Sequence, residues 1–197
     1  MAVARALTLV YFLIAILTVA SFASSALAAP SAKKAPQWEI SEWINSDPIS
    51  LSDLKGQVVV IDFFQLWCPG CKSFSIPLMH HWEQVFAKEA KEGRIAFISI
   101  HTVFEGHSFQ SPKRLRRFLK EKGIEHPVGI DRHVDGQRVP ETMRRYNTMG
   151  TPEMAIIDKQ GKIRFQRFGF FEPAFGENLI RTLLDEQPTP KRAKLSR

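Results

Sequence analysis

The chain of 197 residues contains two cysteines, three positions apart in Cys68-Pro69-Gly70-Cys71. Residues at this spacing lie on one side of an opening helical turn, so their sulfurs can reach bonding distance with tolerable strain. The chemistry this allows is thiol–disulfide exchange. One thiolate attacks a partner disulfide, and the second cysteine resolves the mixed disulfide that forms. The surrounding residues suit that task. Val58–Phe64 (VVVIDFF) is a β-branched and aromatic run that reads as a buried strand ending just before Trp67 and Cys68. The segment after Cys71 reads as a helix, which places Cys68 at the first turn. Unpaired N–H groups and the positive dipole end favour an anion there, and the reactive form of cysteine is the thiolate. Cys71 lies one turn deeper. A purely structural bridge is the plainer reading of the pair, but so short a loop removes little unfolded-state entropy.

The elements that must hold this turn follow in order. Trp38–Ile49 suggests a short edge hairpin, and Leu51–Gly56 a turn into the central strand. The helix from Pro69 or Cys71 should run to Lys91 and stop at Gly93, with a kink or late restart at Pro77. Arg94–His101 is the next buried strand, parallel to the first through a βαβ crossover. A loop, Thr102–Pro112, leads to a helix capped by Ser111 and ended by Gly123. His126–Ile130 is a short strand and Pro140–Tyr146 a short helix. A hairpin, Glu153–Asp158 and Lys162–Phe168, precedes a last helix over Glu177–Glu186. Two crossovers, a hairpin and a terminal helix make an α/β sandwich with a mixed central sheet and helices on both faces.

Met1–Ala28 has the layout of a signal peptide: Arg5, an apolar run from Ala6 to Ala20, and Ala26-Leu27-Ala28 as an A-x-A site. The alternative is an uncleaved membrane anchor, because the apolar run approaches spanning length. Either way the chain is expected to be exported and to work in the periplasm or another extracytoplasmic space. Residues 29–36 read as a linker, 37–187 as the folded domain and 188–197 as a basic disordered tail. The net charge of +7 lies in the signal segment, the linker and the tail, which leaves residues 37–187 neutral. Nucleic acid is therefore not an expected partner.

Three features together resemble the thioredoxin superfamily, closest to its TlpA-like, redoxin-type exported thiol–disulfide oxidoreductases. They are DFFQLWCPGC, Gly150-Thr151-Pro152 about eighty residues beyond it, and the hairpin MAIIDKQGKIRF. The likeness covers about residues 36–187. It implies a thioredoxin-like three-layer sandwich and a redox-active Cys68–Cys71 disulfide. Asp62 would be the buried carboxylate that moves the proton of Cys71 during resolution; burial should raise its pKa. Thr151-Pro152 would be a cis peptide opposite the cysteines that shapes a substrate groove, and Trp67 would shield the disulfide and touch the partner. A structural acid, a plain turn proline and a core tryptophan are the respective alternatives. The resemblance calls for no cofactor and no metal. Its partners would be protein thiols and disulfides, with cytochrome or oxidase assembly factors and a membrane electron donor as family precedents, and reduction is favoured over oxidation.

Two other readings compete. A copper-handling chaperone on the same fold would use Cys68, Cys71 and a histidine, His101 or His107, because thiolates suit Cu(I). A peroxidase of the peroxiredoxin type needs a threonine three residues before its reactive cysteine, where this chain has Gln65. His80 and His81 are adjacent, not four apart, and do not form a helical zinc pair.

Overall fold

A computed structural model describes residues 32–187. The segments read as a signal (1–28) and as a basic tail (188–197), with the first residues of the expected linker, lie outside the described residues. Among those described, no helix is long and apolar enough to cross a membrane.

Six strands form one sheet in the order β1-β4-β3-β2-β5-β6. They are β1 (Ile40–Ile44), β2 (Val58–Phe64), β3 (Ile95–His101), β4 (Val128–Asp131), β5 (Glu153–Ile157) and β6 (Ile163–Phe168). Strands β2, β3 and β4 run parallel, while β1, β5 and β6 each pair antiparallel with a neighbour. The mixed sheet expected from the element order is present.

Strand β2 is buried on both faces. Val58 and Val60 meet Leu78, Met79 and Trp82 of α1 (Ile76–Val85), together with Ile180 and Leu183 of α5 (Pro173–Asp185). On the opposite face Val59, Ile61 and Phe63 pack with Ile98, Ile100 and Tyr146, the last from α4 (Glu141–Tyr146). Each fully buried side chain of this kind contributes about 1.5–3 kcal/mol. Six of them in one strand hold it firmly enough to carry a single buried acid, Asp62. Phe64 joins a third cluster with Leu115 and Phe118 of α3 (Pro112–Lys122) and with both cysteines.

The helix after the cysteines opens as a wide, π-type turn over Cys71–Ser75, in which the Ile76 N–H reaches back to the Cys71 carbonyl. Pro77 explains it: a proline gives no N–H to the carbonyl four residues back and its ring presses on that carbonyl, so the turn widens. The expected disturbance at Pro77 is therefore expressed before the proline. The helix breaks again at Phe86 and finishes as α2 (Ala87–Lys91).

Three expectations change. Trp38–Ile49 is not a hairpin; it supplies one edge strand, β1, whose partner is the distant β4. The last helix begins at Pro173 rather than Glu177. Proline suits a first helical turn, and Gly176 sits where an added Cβ would come 2.6 Å from the Trp82 ring, so the glycine serves a close helix contact. Within the segment read as a linker, the Ala35 N–H donates to the Gly161 carbonyl and the Ile163 N–H to the Lys33 carbonyl, both at 2.8 Å, so residues 33–35 are tied to the start of β6.

Candidate active site

Strand β2 delivers the chain through Gln65, Leu66 and Trp67 to the cysteines. Cys68 and Cys71 are joined as a disulfide, with Cα atoms 5.3 Å apart. The two sulfurs are not equivalent: Cys68 is 7% exposed and Cys71 is fully enclosed. The backbone N–H of Cys71 donates to Cys68 Sγ at 3.0 Å. A helix-opening amide thus points at the sulfur that solvent can reach, an arrangement that favours a thiolate on Cys68 once the pair is reduced. Cys71 can then act only on a sulfur already attached to Cys68.

Asp62 lies in β2 on the face of Val60 and Phe64, beneath the helix that carries Cys71. It is 1% exposed, and neither of its oxygens has a hydrogen-bond partner. Burial pushes its pKa up to about 7; the Ser75 hydroxyl, turned toward it without a formed hydrogen bond, opposes this weakly. An unpaired buried carboxyl is costly and rare. One that titrates near neutrality behind a reactive pair can take and return a proton.

The Thr151-Pro152 peptide is cis. Pro152 abuts the cysteine turn: a Cβ on Gly70 would lie 2.9 Å from Pro152 Cδ, so only glycine allows this approach. Glu153, which the sequence reading passed over, braces the turn. It is buried, and its carboxylate accepts from the Met149 N–H at 2.8 Å and from Gln166 Nε2 at 2.5 Å.

Trp67 is 43% exposed and not a core residue. Its indole N–H donates to Gln65 Oε1 at 2.6 Å, and its ring stacks on Phe109 with centroids 6.3 Å apart. The ring covers Gly106, where φ is +61° and any Cβ would collide with it. The 102–112 loop thus forms a wall of the site. Gln110 fastens it: Oε1 accepts from the Leu66 N–H at 3.1 Å, and Nε2 donates to the Glu105 carbonyl at 2.8 Å. The same Oε1 accepts from His101 Nε2 at 3.2 Å. Burial lowers the His101 pKa to about 4, so the ring is a neutral donor in a packed position beside Phe64. His107 instead faces His133, with ring centroids 5.3 Å apart. Among the described residues, no group of three or more His, Cys, Asp or Glu side chains could hold a metal ion.

A groove of about 440 Å³ runs past Cys68, lined by Trp67, Pro69, Glu105, Met149, Thr151 and Phe168 among others. Met149, Phe168 and Phe170 stand exposed nearby. Apolar walls beside one accessible sulfur suit an extended peptide segment.

The sequence model of the AhpC/TSA family matches residues 32–166. Protein DipZ of Mycobacterium bovis is 29% identical over 151 residues, which is 75% of this chain and only 20% of DipZ. Thiol-disulfide oxidoreductase ResA of Bacillus anthracis is 27% identical over 137 residues, covering 70% of this chain and 69% of ResA. Among solved structures, the thioredoxin-like superfamily protein SPOA0173 superposes with a TM-score of 0.75 at 40% identity, over 80% of this chain and 100% of that one. A thiol-disulfide isomerase from Corynebacterium glutamicum gives 0.71 at 36% identity, over 78% and 98%.

Proposed function

The chain belongs to the AhpC/TSA family and is a thiol–disulfide oxidoreductase of thioredoxin-like fold, and from that premise we propose that it reduces disulfides of exported protein partners through Cys68 and Cys71. Cys68 thiolate attacks the partner disulfide held in the groove, and one partner sulfur leaves as a thiolate. Asp62 accepts the proton of Cys71, whose sulfur then attacks Cys68. The Cys68–Cys71 bond forms, the bond from Cys68 to the partner breaks, and two electrons have passed to the partner. Trp67, Thr151 and Pro152 form the contact surface. A membrane donor of electrons would return the pair to the dithiol.

One observation carries the direction of flow. The described hydrogen bonds give Cys68 Sγ a single donor, the Cys71 N–H, and the only charged residue lining its groove is the acid Glu105. A strong oxidant requires a heavily stabilised thiolate, and this site offers one amide and no cation. The reduction potential of the Cys68/Cys71 couple tests the reading. A value near that of thioredoxin, about −270 mV, is expected; one near that of DsbA, about −120 mV, would reverse the direction.

The domain division supports the setting. In this reading residues 1–28 are the export signal, 37–187 the working domain and 188–197 a basic tail, and the dithiol works in the periplasm or an equivalent extracytoplasmic space. An intact mass of the mature protein that begins at Ala29 is the expected result; a mass that retains Met1–Ala28 would assign the segment as an anchor. Cytochrome or oxidase assembly factors are the proposed class of partner. Gln65 speaks against a peroxidase. It occupies the position of that chemistry's threonine, and its amide is committed to the Thr102 carbonyl and the Trp67 indole.

A further inference from the structure

Behind the disulfide, three residues from three elements form a continuous polar row. Ser99 of β3 is 2% exposed, and its Oγ lies 2.7 Å from His126 Nε2. His126 precedes β4, and its Nδ1 lies 2.8 Å from Glu83 Oε1 on α1. With Nδ1 protonated the ring donates to Glu83 and accepts from the Ser99 hydroxyl. The spacing is that of a serine–histidine–acid triad, but Ser99 is sealed in the sheet, where no substrate can reach it. Nucleophilic catalysis is thereby ruled out for this serine. The row has one buried end and one wet end: the His126 side chain is 6% exposed and that of Glu83 is 27% exposed.

The buried end lies next to Asp62 in the sheet, with no hydrogen bond between Asp62 and Ser99 in this state. Asp62 and Ser99 are register partners in the parallel pair of β2 and β3. Their side chains therefore share a face, on strands about 4.8 Å apart. Both Asp62 oxygens lack a partner, so the acid is free to turn toward the Ser99 hydroxyl or to hold one water against it.

We propose that Ser99, His126 and Glu83 form a proton relay that connects Asp62 to solvent. This rests on the reading that Asp62 takes the Cys71 proton. After that transfer, Asp62 passes its proton to Ser99 Oγ while the Ser99 hydroxyl proton moves to His126 Nε2. The Nδ1 proton of His126 then moves to the Glu83 carboxylate, and Glu83 releases it to water. No electrons move in this sequence; the redox step is complete when the Cys68–Cys71 bond has closed. When the disulfide is reduced again, Cys71 needs a proton, and the reverse flow restores the histidine tautomer. The titratable groups that face the row are Asp62 from β2, Cys71 from the helix opening, and Glu83 with His80 from α1. His80 Nδ1 lies 3.4 Å from Glu83 Oε2, and its Nε2 lies 3.0 Å from the Lys122 carbonyl. The surface end thus has a second proton carrier beside it. Without such a row, a sealed carboxyl exchanges its proton only when the core opens.

The test is single-turnover reaction of the reduced full chain with Ellman's reagent. The first release of nitrothiobenzoate reports attack by Cys68, and the second reports resolution by Cys71. Ser99→Ala and His126→Gln are expected to slow the second phase about tenfold and leave the first unchanged. Glu83→Gln, at a half-buried position that tolerates the exchange, should act in the same direction if a core variant fails to fold. Added imidazole should restore part of the lost rate in Glu83→Gln, because that end of the row reaches solvent and a small carrier can substitute there. A second phase unchanged in these variants, while Asp62→Asn slows it, would overturn the relay alone. Slowing of Glu83→Gln that is insensitive to imidazole would also overturn it, because a structural defect gives that result. If Asp62→Asn leaves the second phase intact, the base role of Asp62 fails and the relay fails with it.

Discussion

Cys71→Ser will leave the first half of the reaction running and stop the second, so that the protein accumulates bonded to its partner. Cys68→Ser will lower exchange by at least about a thousandfold, because a serine hydroxyl at neutral pH cannot replace a thiolate nucleophile. The asymmetry follows from burial: Cys68 opens onto the groove, while Cys71 is sealed beneath it. A non-reducing gel of Cys71→Ser with an exported extract, followed by mass spectrometry, should show a mixed disulfide through Cys68 and identify the partner. Equal loss of trapping and of exchange in both variants would mean that the two sulfurs have no division of labour.

Asp62→Asn will separate stability from activity, and in opposite directions. In the oxidised protein the carboxyl has a pKa of about 7 against an ordinary value of 3.8. Between these values the folded state holds a proton that the unfolded state has released. Wild-type stability therefore falls as pH rises from about 4 to about 7, and stays at the lower level above that. At 1.36 kcal/mol per unit the full fall is about 4 kcal/mol. Asparagine carries no charge to desolvate, so the variant should be nearly as stable as wild type at pH 4 and clearly more stable at pH 8. Urea unfolding of the oxidised proteins at the two pH values checks this; a variant no more stable than wild type at pH 8 would contradict it. The cost should appear in the resolution step, which is expected to lose about a hundredfold at pH 7 when its proposed base is removed. A destabilising acid kept at a reactive site is the familiar exchange of stability for activity.

Much of the site was legible because its signals are local. The run Val58–Phe64 can hardly be anything but a buried strand, and an acid within it beside a following Cys-x-x-Cys stands out. Ser111 and Gly123 bound α3 as expected, by an N-cap side chain and a left-handed C-cap. Failures arose where the partner is remote. The strand Ile40–Ile44 owes its place to β4, nearly ninety residues away, and nothing in its own weak alternation shows whether it folds back on itself or pairs elsewhere. Gln110 and Glu153 act through hydrogen bonds to backbone that only the folded chain brings near. The buried row of Ser99, His126 and Glu83 draws one residue from each of three elements. No spacing rule finds it, and the sequence reading takes His126 only as the first residue of a short strand. Gly106 and Gly70 likewise declare their purpose only when the Trp67 ring and Pro152 are seen against them.

One sulfur of the pair is presented for attack and the other is withheld. Timed alkylation of the fully reduced protein across pH, with each cysteine read by peptide mass, puts this difference to the test. Cys68 is expected to be modified first, at a rate half-maximal below the ordinary thiol value of about 8.5, while Cys71 stays unmodified until the protein unfolds. Equal modification of the two cysteines, or a Cys68 that reacts no faster than an unstructured thiol, would contradict it.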